Sequence, residues 1–152
     1  MPYEFKLQRR VEFNETDMAG LVHFANFFRY MESAEHAFFR SLGFSIAMPG
    51  TQPPLGWPRV NARCDYLKPL FFEDLFEIHL LVAEKRSRSL TYQFRFYKLT
   101  GAAPVEVARG GLTTVCVAHH DGSGLKAVPI PADIARQIEA APPELLAPPT
   151  SR

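Results

Sequence analysis

The run Glu15 to Leu42, ETDMAGLVHFANFFRYMESAEHAFFRSL, constrains the fold more than any other stretch of the chain. From Phe24 onward, apolar side chains recur at helical spacing. Phe24, Phe27, Phe28, Met31, Ala34, Phe38 and Leu42 form one wide stripe, with Arg29, Glu32, Ser33, His36 and Arg40 largely off it. Gly43 follows the last periodic residue, where a left-handed C-terminal cap is expected. A helix this apolar has to be covered, and no second helix of comparable length is signalled. Strands must cover it.

The remaining sequence supplies them. Tyr3, Phe5 and Leu7 alternate with polar residues, as do Val11 and Phe13, which predicts a half-buried strand before a turn over Asn14 to Gly20. Phe44 to Pro58 is too rich in Pro and Gly for regular structure and reads as a long, apolar loop of the kind that binds ligands. Four strand-like segments follow. The first alternates Val60, Ala62, Cys64 and Tyr66; the second Phe76, Ile78, Leu80 and Val82; the third Leu90, Tyr92, Phe94 and Phe96. The fourth runs from Val105 to Ala118, with a bulge or bend expected at Gly110-Gly111. Turn chemistry marks Lys85 to Ser89, Thr100-Gly101 and His120-Asp121-Gly122. A short helix is predicted over Ala132 to Ala140, then a proline-rich tail that frays. The order strand, helix, four strands predicts an α+β fold: an antiparallel five-stranded sheet around one long central helix, its free edge satisfied by dimerisation.

The composition narrows the function. At 152 residues and 47% hydrophobic the chain makes one domain with a real core, and a net charge of +1 argues against a nucleic-acid partner. The charged, alternating N-terminus reads as neither signal nor transit peptide, and no apolar run is long enough for a membrane span. Cys64 and Cys116 are too far apart for a metal or redox pair and read as free thiols of a cytoplasmic protein.

With that order, the block Glu15-Thr16-Asp17-Met18-Ala19-Gly20-Leu21-Val22-His23-Phe24-Ala25-Asn26-Phe27 resembles the hotdog-fold acyl-CoA thioesterases of the 4-hydroxybenzoyl-CoA thioesterase family. Glu32 and the connection Leu67 to Asp74 also match, and the resemblance covers roughly residues 3 to 130. It implies a hotdog domain over residues 1–140 and a tail over 141–152. It also implies hydrolysis of an acyl-CoA to free acid and coenzyme A without metal or other cofactor, in a homodimer or homotetramer with neither nucleic acid nor membrane as partner.

The residues themselves suit that chemistry. Thioester hydrolysis needs a carboxylate, as nucleophile or as general base, and donors for the developing oxyanion. Asp17 lies just before the helix start, where N–H groups and the helix dipole favour negative charge, and the N–H groups around His23, Phe24 and Ala25 are candidates for the oxyanion hole. Gly20 permits a conformation other residues resist. Many relatives carry Tyr or Trp at the position of His23 and His or Tyr at that of Phe24, so only the backbone of Phe24 can act. His23 either assists as a base or fills an aromatic slot. Asn26 caps the helix or bonds a neighbouring loop, and Glu32 makes a structural polar contact or, as the alternative, serves as a catalytic carboxylate.

Lys85, Arg86, Arg88 and Ser89 suit the phosphates of coenzyme A as well as a solvated hairpin tip. In the family's dimers this hairpin meets the helix start of the other subunit. Phe44 and Trp57 line an acyl pocket or pack in the core; as a pocket they favour an aromatic or medium-chain acyl group. Two other readings stay open: a thioesterase acting on acyl carrier protein, and a non-catalytic dimer that binds acyl thioesters.

Overall fold

The structure, a computed structural model, describes residues 2–120, 122 and 124–148. Five antiparallel strands form the main sheet: β1 (Glu4–Arg10), β3 (Arg59–Tyr66), β4 (Leu75–Lys85), β5 (Ser89–Lys98) and β6 (Val105–Val115), in the order β1-β4-β5-β6-β3. One long helix, α1 (Asn26–Ser41), packs against it. A second, three-stranded sheet joins β2 (Leu55–Gly56), β7 (Val117–His120) and β8 (Gly124–Ala127) in the order β2-β7-β8. This is the five-stranded sheet around one helix that the hotdog resemblance implies.

The core follows the alternation. Phe76, Ile78, Leu80 and Val82 of β4 and Leu90, Tyr92, Phe94 and Phe96 of β5 are all buried on the face that meets α1, where Phe27, Tyr30, Met31, Ala34 and Phe38 point. The helix ends as expected. Gly43 adopts φ 89°, its N–H donates to the Arg40 carbonyl at 3.0 Å, and the Phe44 N–H reaches back to the Phe39 carbonyl at 2.9 Å. That is a Schellman cap. The helix start differs: it begins at Asn26, so Phe24 precedes it and is 62% exposed instead of joining the buried stripe.

Four further expectations are corrected. Strand β6 runs unbroken through Gly110-Gly111; its extra residue is Val107, between the pairs Phe96↔Ala108 and Tyr97↔Glu106. The glycines answer a packing demand instead. A Cβ on Gly110 would overlap Met31 Cε and lie 2.8 Å from Met31 Sδ, so the sheet comes this close to α1 only without a side chain there. The strand expected to continue to Ala118 breaks at Cys116, whose N–H donates to the Arg88 carbonyl at 2.8 Å, and β7 then joins the smaller sheet.

The helix expected over Ala132 to Ala140 is one turn, α2 (Ala132–Ala135), because the Lys85 ammonium takes the carbonyls of Ala135 and, at 2.9 Å, Ile138. The tail does not fray as far as it is described. Ala141 is buried, with its N–H on the Val82 carbonyl at 2.7 Å, and the Gln93 carboxamide bonds both the N–H and the C=O of Ala147, at 2.9 and 3.0 Å. Asp121 of the expected turn, Met1 of the domain and residues 149–152 of the tail lie outside the described residues.

The glycine pair separates two kinds of crowding. Gly110→Ala should lower stability by about 1–3 kcal/mol through overpacking against Met31. Gly111→Ala should cost much less, since its tightest neighbour is the movable Arg63 side chain, with Nε 2.9 Å from the added carbon. Urea denaturation of both variants makes the comparison.

Candidate active site

Asp17 sits on a loop that folds back on itself. Thr16 bridges Val22, the Asp17 N–H donates to the Leu21 carbonyl at 2.7 Å, and the Gly20 N–H returns to the Asp17 carbonyl at 3.0 Å. Gly20 holds φ 84°, in the left-handed region where a side chain would be strained. One carboxylate oxygen, Oδ1, accepts the N–H groups of Ala19 at 2.9 Å and Leu21 at 3.1 Å. The other, Oδ2, has no hydrogen bond among the described residues. These bonds make an Asx turn, and it occupies only half of the group.

The loop is fastened to the body on two sides. The Val22 N–H donates to the Leu70 carbonyl at 2.9 Å, and Leu21 bridges Phe71. The connection Leu67 to Asp74 is itself pinned. Asp74, buried, accepts the Phe71 N–H at 2.8 Å and pairs with Lys98 at 3.3 Å. The extra residue Val107 turns its carbonyl toward the N–H groups of Leu67 and Lys68, at 2.8 and 3.0 Å. Between loop and connection lies a groove of about 390 Å³, walled by Asp17, Leu21, Val22 and Phe24 on one side and by Phe27, Tyr66 and residues 67–70 on the other.

Of the three N–H groups expected to take an oxyanion, two are engaged. The His23 N–H donates to the Glu15 carbonyl at 2.9 Å, and the Ala25 N–H to His23 Nδ1 at 3.2 Å. The Phe24 N–H has no acceptor among the described residues. His23 is exposed and stacks on the Phe24 ring, centroids 4.7 Å apart, while its Nδ1 accepts the Ala25 N–H. Asn26 does not cap the helix; its Nδ2 donates to the Glu15 carbonyl at 2.8 Å, the loop bond that was the alternative.

Residues 11–138 match the thioesterase-like superfamily. The chain belongs to that family. It is an enzyme of thioester hydrolysis. It is 41% identical over 101 residues to a putative esterase of Aquifex aeolicus, covering 64% of this chain and 74% of the relative. To the 4-hydroxybenzoyl-CoA thioesterase of a Pseudomonas species it is 25% identical over 138 residues, covering 88% of this chain and 96% of the relative. The crystal structure of a hypothetical protein from Aquifex aeolicus superposes with a TM-score of 0.77 at 35% identity, covering 89% of this chain and 99% of that one.

Within one copy of this thioesterase-family chain, the other expected site residues lie elsewhere. Trp57 is buried and meets Phe39 edge-on at 5.7 Å, and Phe44 bonds the backbone of the same residue. Phe39 is about 20 Å along α1 from Asn26, given the rise of the α-helix, so neither aromatic lines the Asp17 groove. The hairpin Lys85 to Ser89 stands at the far end of β4, about 33 Å from Leu75 at the usual strand rise. Its members differ. Lys85 is spent on the carbonyls around α2, Arg86 pairs with Glu84 at 2.7 Å, and Ser89 opens β5. The Arg88 side chain is exposed and has no ion pair among the described residues. Among those residues no group of three or more His, Cys, Asp or Glu could hold a metal, and no helix is long and apolar enough to cross a membrane.

Two residues escaped the sequence reading. Tyr66 ends β3 inside the groove and donates its hydroxyl to the Phe24 carbonyl at 2.8 Å. Burial, and secondarily the neighbouring Cys64 thiol, push the Tyr66 hydroxyl up to about 12. Its place in the alternation suggested only a strand residue. Glu35 is fully buried and bonds Arg59 Nη2 at 2.6 Å, while Glu32, more exposed, stands 3.6 Å from the same nitrogen. Glu35 lies one turn after Met31, on the apolar stripe. A carboxylate in that register is the signal that could have revealed it.

The Tyr66 shift has a sign. A hydroxyl raised from 10.0 to about 12 contributes stability that is complete below the unfolded value and is lost as pH rises through that window. Thermal melts between about pH 10 and 12 should fall less steeply for Tyr66→Phe than for wild type, whereas parallel curves would show that this hydroxyl is not protected.

Proposed function

We propose that the chain hydrolyses an aromatic or medium-chain acyl-CoA at the Asp17 groove. The observation that carries this reading is the pairing, in one groove, of a carboxylate with one uncommitted oxygen and the Phe24 N–H. The thioester carbonyl oxygen accepts the Phe24 N–H, which stabilises the charge that develops on it. Asp17 then acts in one of two ways. As nucleophile, its oxygen bonds the carbonyl carbon, the C–S bond breaks, coenzyme A leaves as thiolate, and water opens the resulting anhydride. As general base, it takes a proton from water while that water's oxygen bonds the same carbon; the C–S bond then breaks and the departing thiolate of coenzyme A takes up that proton. Both routes end in a carboxylic acid and free coenzyme A, with no metal or redox group involved.

The acyl preference is supported by Phe24, Phe27 and Tyr66 at the groove, and by the substrate in the name of the Pseudomonas relative. Phe44 and Trp57 no longer support it within one copy. The basic hairpin stands about 33 Å along β4 from Leu75, and none of its residues lines the groove of its own copy; this favours a homodimer, in which Arg86 and Arg88 of a second copy face the coenzyme A phosphates, and pairs of dimers would make the homotetramer. The absence of a spanning helix among the described residues suits a cytoplasmic enzyme.

Release of free thiol from short, medium-chain and aromatic acyl-CoAs is the direct test. Asp17→Asn keeps the shape of the turn and removes the charge, so turnover should drop by about 10²-fold or more with an unchanged thermal melt. A folded, equally active Asp17→Asn would sink the proposal, and binding without turnover by wild type would leave a non-catalytic thioester binder. The hairpin has its own readout. Arg88→Ala should raise KM roughly tenfold for acyl-CoA and leave it unchanged for an acyl-pantetheine, which lacks the nucleotide phosphates.

A further inference from the structure

Glu15 is tied to more of the molecule than any other residue of the loop. Its Oε2 accepts Arg9 Nη2 of β1 at 3.1 Å, and its Oε1 accepts the Glu12 N–H at 2.8 Å. Its side chain is 14% exposed, so this ion pair is partly withdrawn from water. The same carboxylate faces the hydroxyl of Tyr30, a fully buried residue of α1 whose hydroxyl makes no other hydrogen bond among the described residues, and the Arg9 guanidinium lies 5.0 Å from the Tyr30 ring centre. Burial first and the Glu15 charge second push that hydroxyl above the ordinary tyrosine value. Side chain thus joins loop to sheet and helix.

The backbone of Glu15 does the complementary work. Its carbonyl accepts the His23 N–H at 2.9 Å and Asn26 Nδ2 at 2.8 Å. These bonds close the loop just outside the Thr16–Val22 bridge and fix where it re-enters α1. Asp17 follows Glu15 by two residues, and Phe24 follows the bonded His23 by one. The distance between the Asp17 carboxylate and the Phe24 N–H is therefore set across Glu15.

From this arrangement we infer that Glu15 is a positioning residue of the active site: anchored by Arg9, it holds the Asp17 carboxylate and the Phe24 N–H at a fixed separation across the groove. The inference rests on the reading of Asp17 and Phe24 given above. Glu15 does not touch the substrate. Its loss acts through geometry, and a displacement of about 1 Å at a reacting group can cost on the order of 10²-fold in rate.

Steady-state hydrolysis of the preferred acyl-CoA by Glu15→Ala, Arg9→Met and the double variant tests it. Glu15→Ala should lower kcat by about 10- to 100-fold with little change in KM, the split that marks an interaction used in the transition state. Arg9→Met should lower kcat in the same direction, and the double variant should be no slower than Glu15→Ala, because both remove one anchor. Glu15→Gln keeps an acceptor for the Glu12 N–H and should recover part of the rate. Ile134→Ala, which removes a buried core side chain of α2 outside the groove, should keep kcat at a comparable loss of Tm.

Wild-type kcat in Glu15→Ala overturns the inference, as does an Ile134→Ala loss equal to that of Glu15→Ala. Should Glu15→Ala fail to fold, Glu15→Gln and Arg9→Met carry the same comparison. Asp17→Asn measured alongside keeps the two claims apart: full activity there removes the catalytic reading and its positioning together. An inactive Asp17→Asn beside a wild-type Glu15→Ala removes only the positioning.

Discussion

The approach of α1 to the sheet at Met31 and Gly110 is the contact on which the rest of the structure depends. An apolar helix must be covered on more than one side, and a five-stranded sheet covers it only if a strand passes close enough to touch its backbone turns. The missing side chain at Gly110 permits that passage, and Met31 fills the space with a flexible, polarizable chain. Once helix and sheet are at that distance, Phe27, one turn before Met31, and Tyr30, next to it, reach Phe96 and Phe76, with ring centres 5.2 and 4.8 Å apart. The N-terminal end of the helix is thereby fixed relative to the strand ends around it.

That fixed end is where the chemistry gathers. A loop of seven residues, 16–22, has too little apolar surface to order itself. It is held by backbone bonds to residues 70 and 71, by the Glu15 carbonyl, and by the helix start. The groove inherits its shape from these attachments. Its apolar wall is the same aromatic packing that stabilises the core, with Phe27 serving both.

Periodicity made the helix, the strands and the Gly43 cap readable, since each depends on local spacing or on one backbone conformation. The Asp17 loop was readable because its residue types carry chemistry in a particular order. Features that depend on distant partners were not. Gly110 looked like a bulge because a strand pattern cannot show what faces it across the core, while the true extra residue, Val107, is an ordinary valine. The short α2 and the docked tail depend on Lys85 and Gln93, which are far away in sequence. Glu35 was passed over because its stripe was read as apolar. Tyr66 was passed over because its hydroxyl partner is a backbone carbonyl forty-two residues away.

The buried Glu35 has a consequence for how chains of this shape can diverge. Its charge is matched by Arg59, 2.6 Å away, which also reaches Thr114 Oγ1 at 3.3 Å. Losing Arg59 alone strands the Glu35 carboxylate in the core, at about 3–5 kcal/mol, a large share of a domain's whole stability, whereas Arg59 is partly exposed and keeps Glu32 at 3.6 Å if Glu35 is lost first. A volume-matched apolar pair would fit the same space without that penalty. The order of change at positions 35 and 59 is therefore constrained. A lineage leaves the charged state through position 35 first, and intermediates that lose Arg59 first are filtered out by misfolding before catalysis is ever tested.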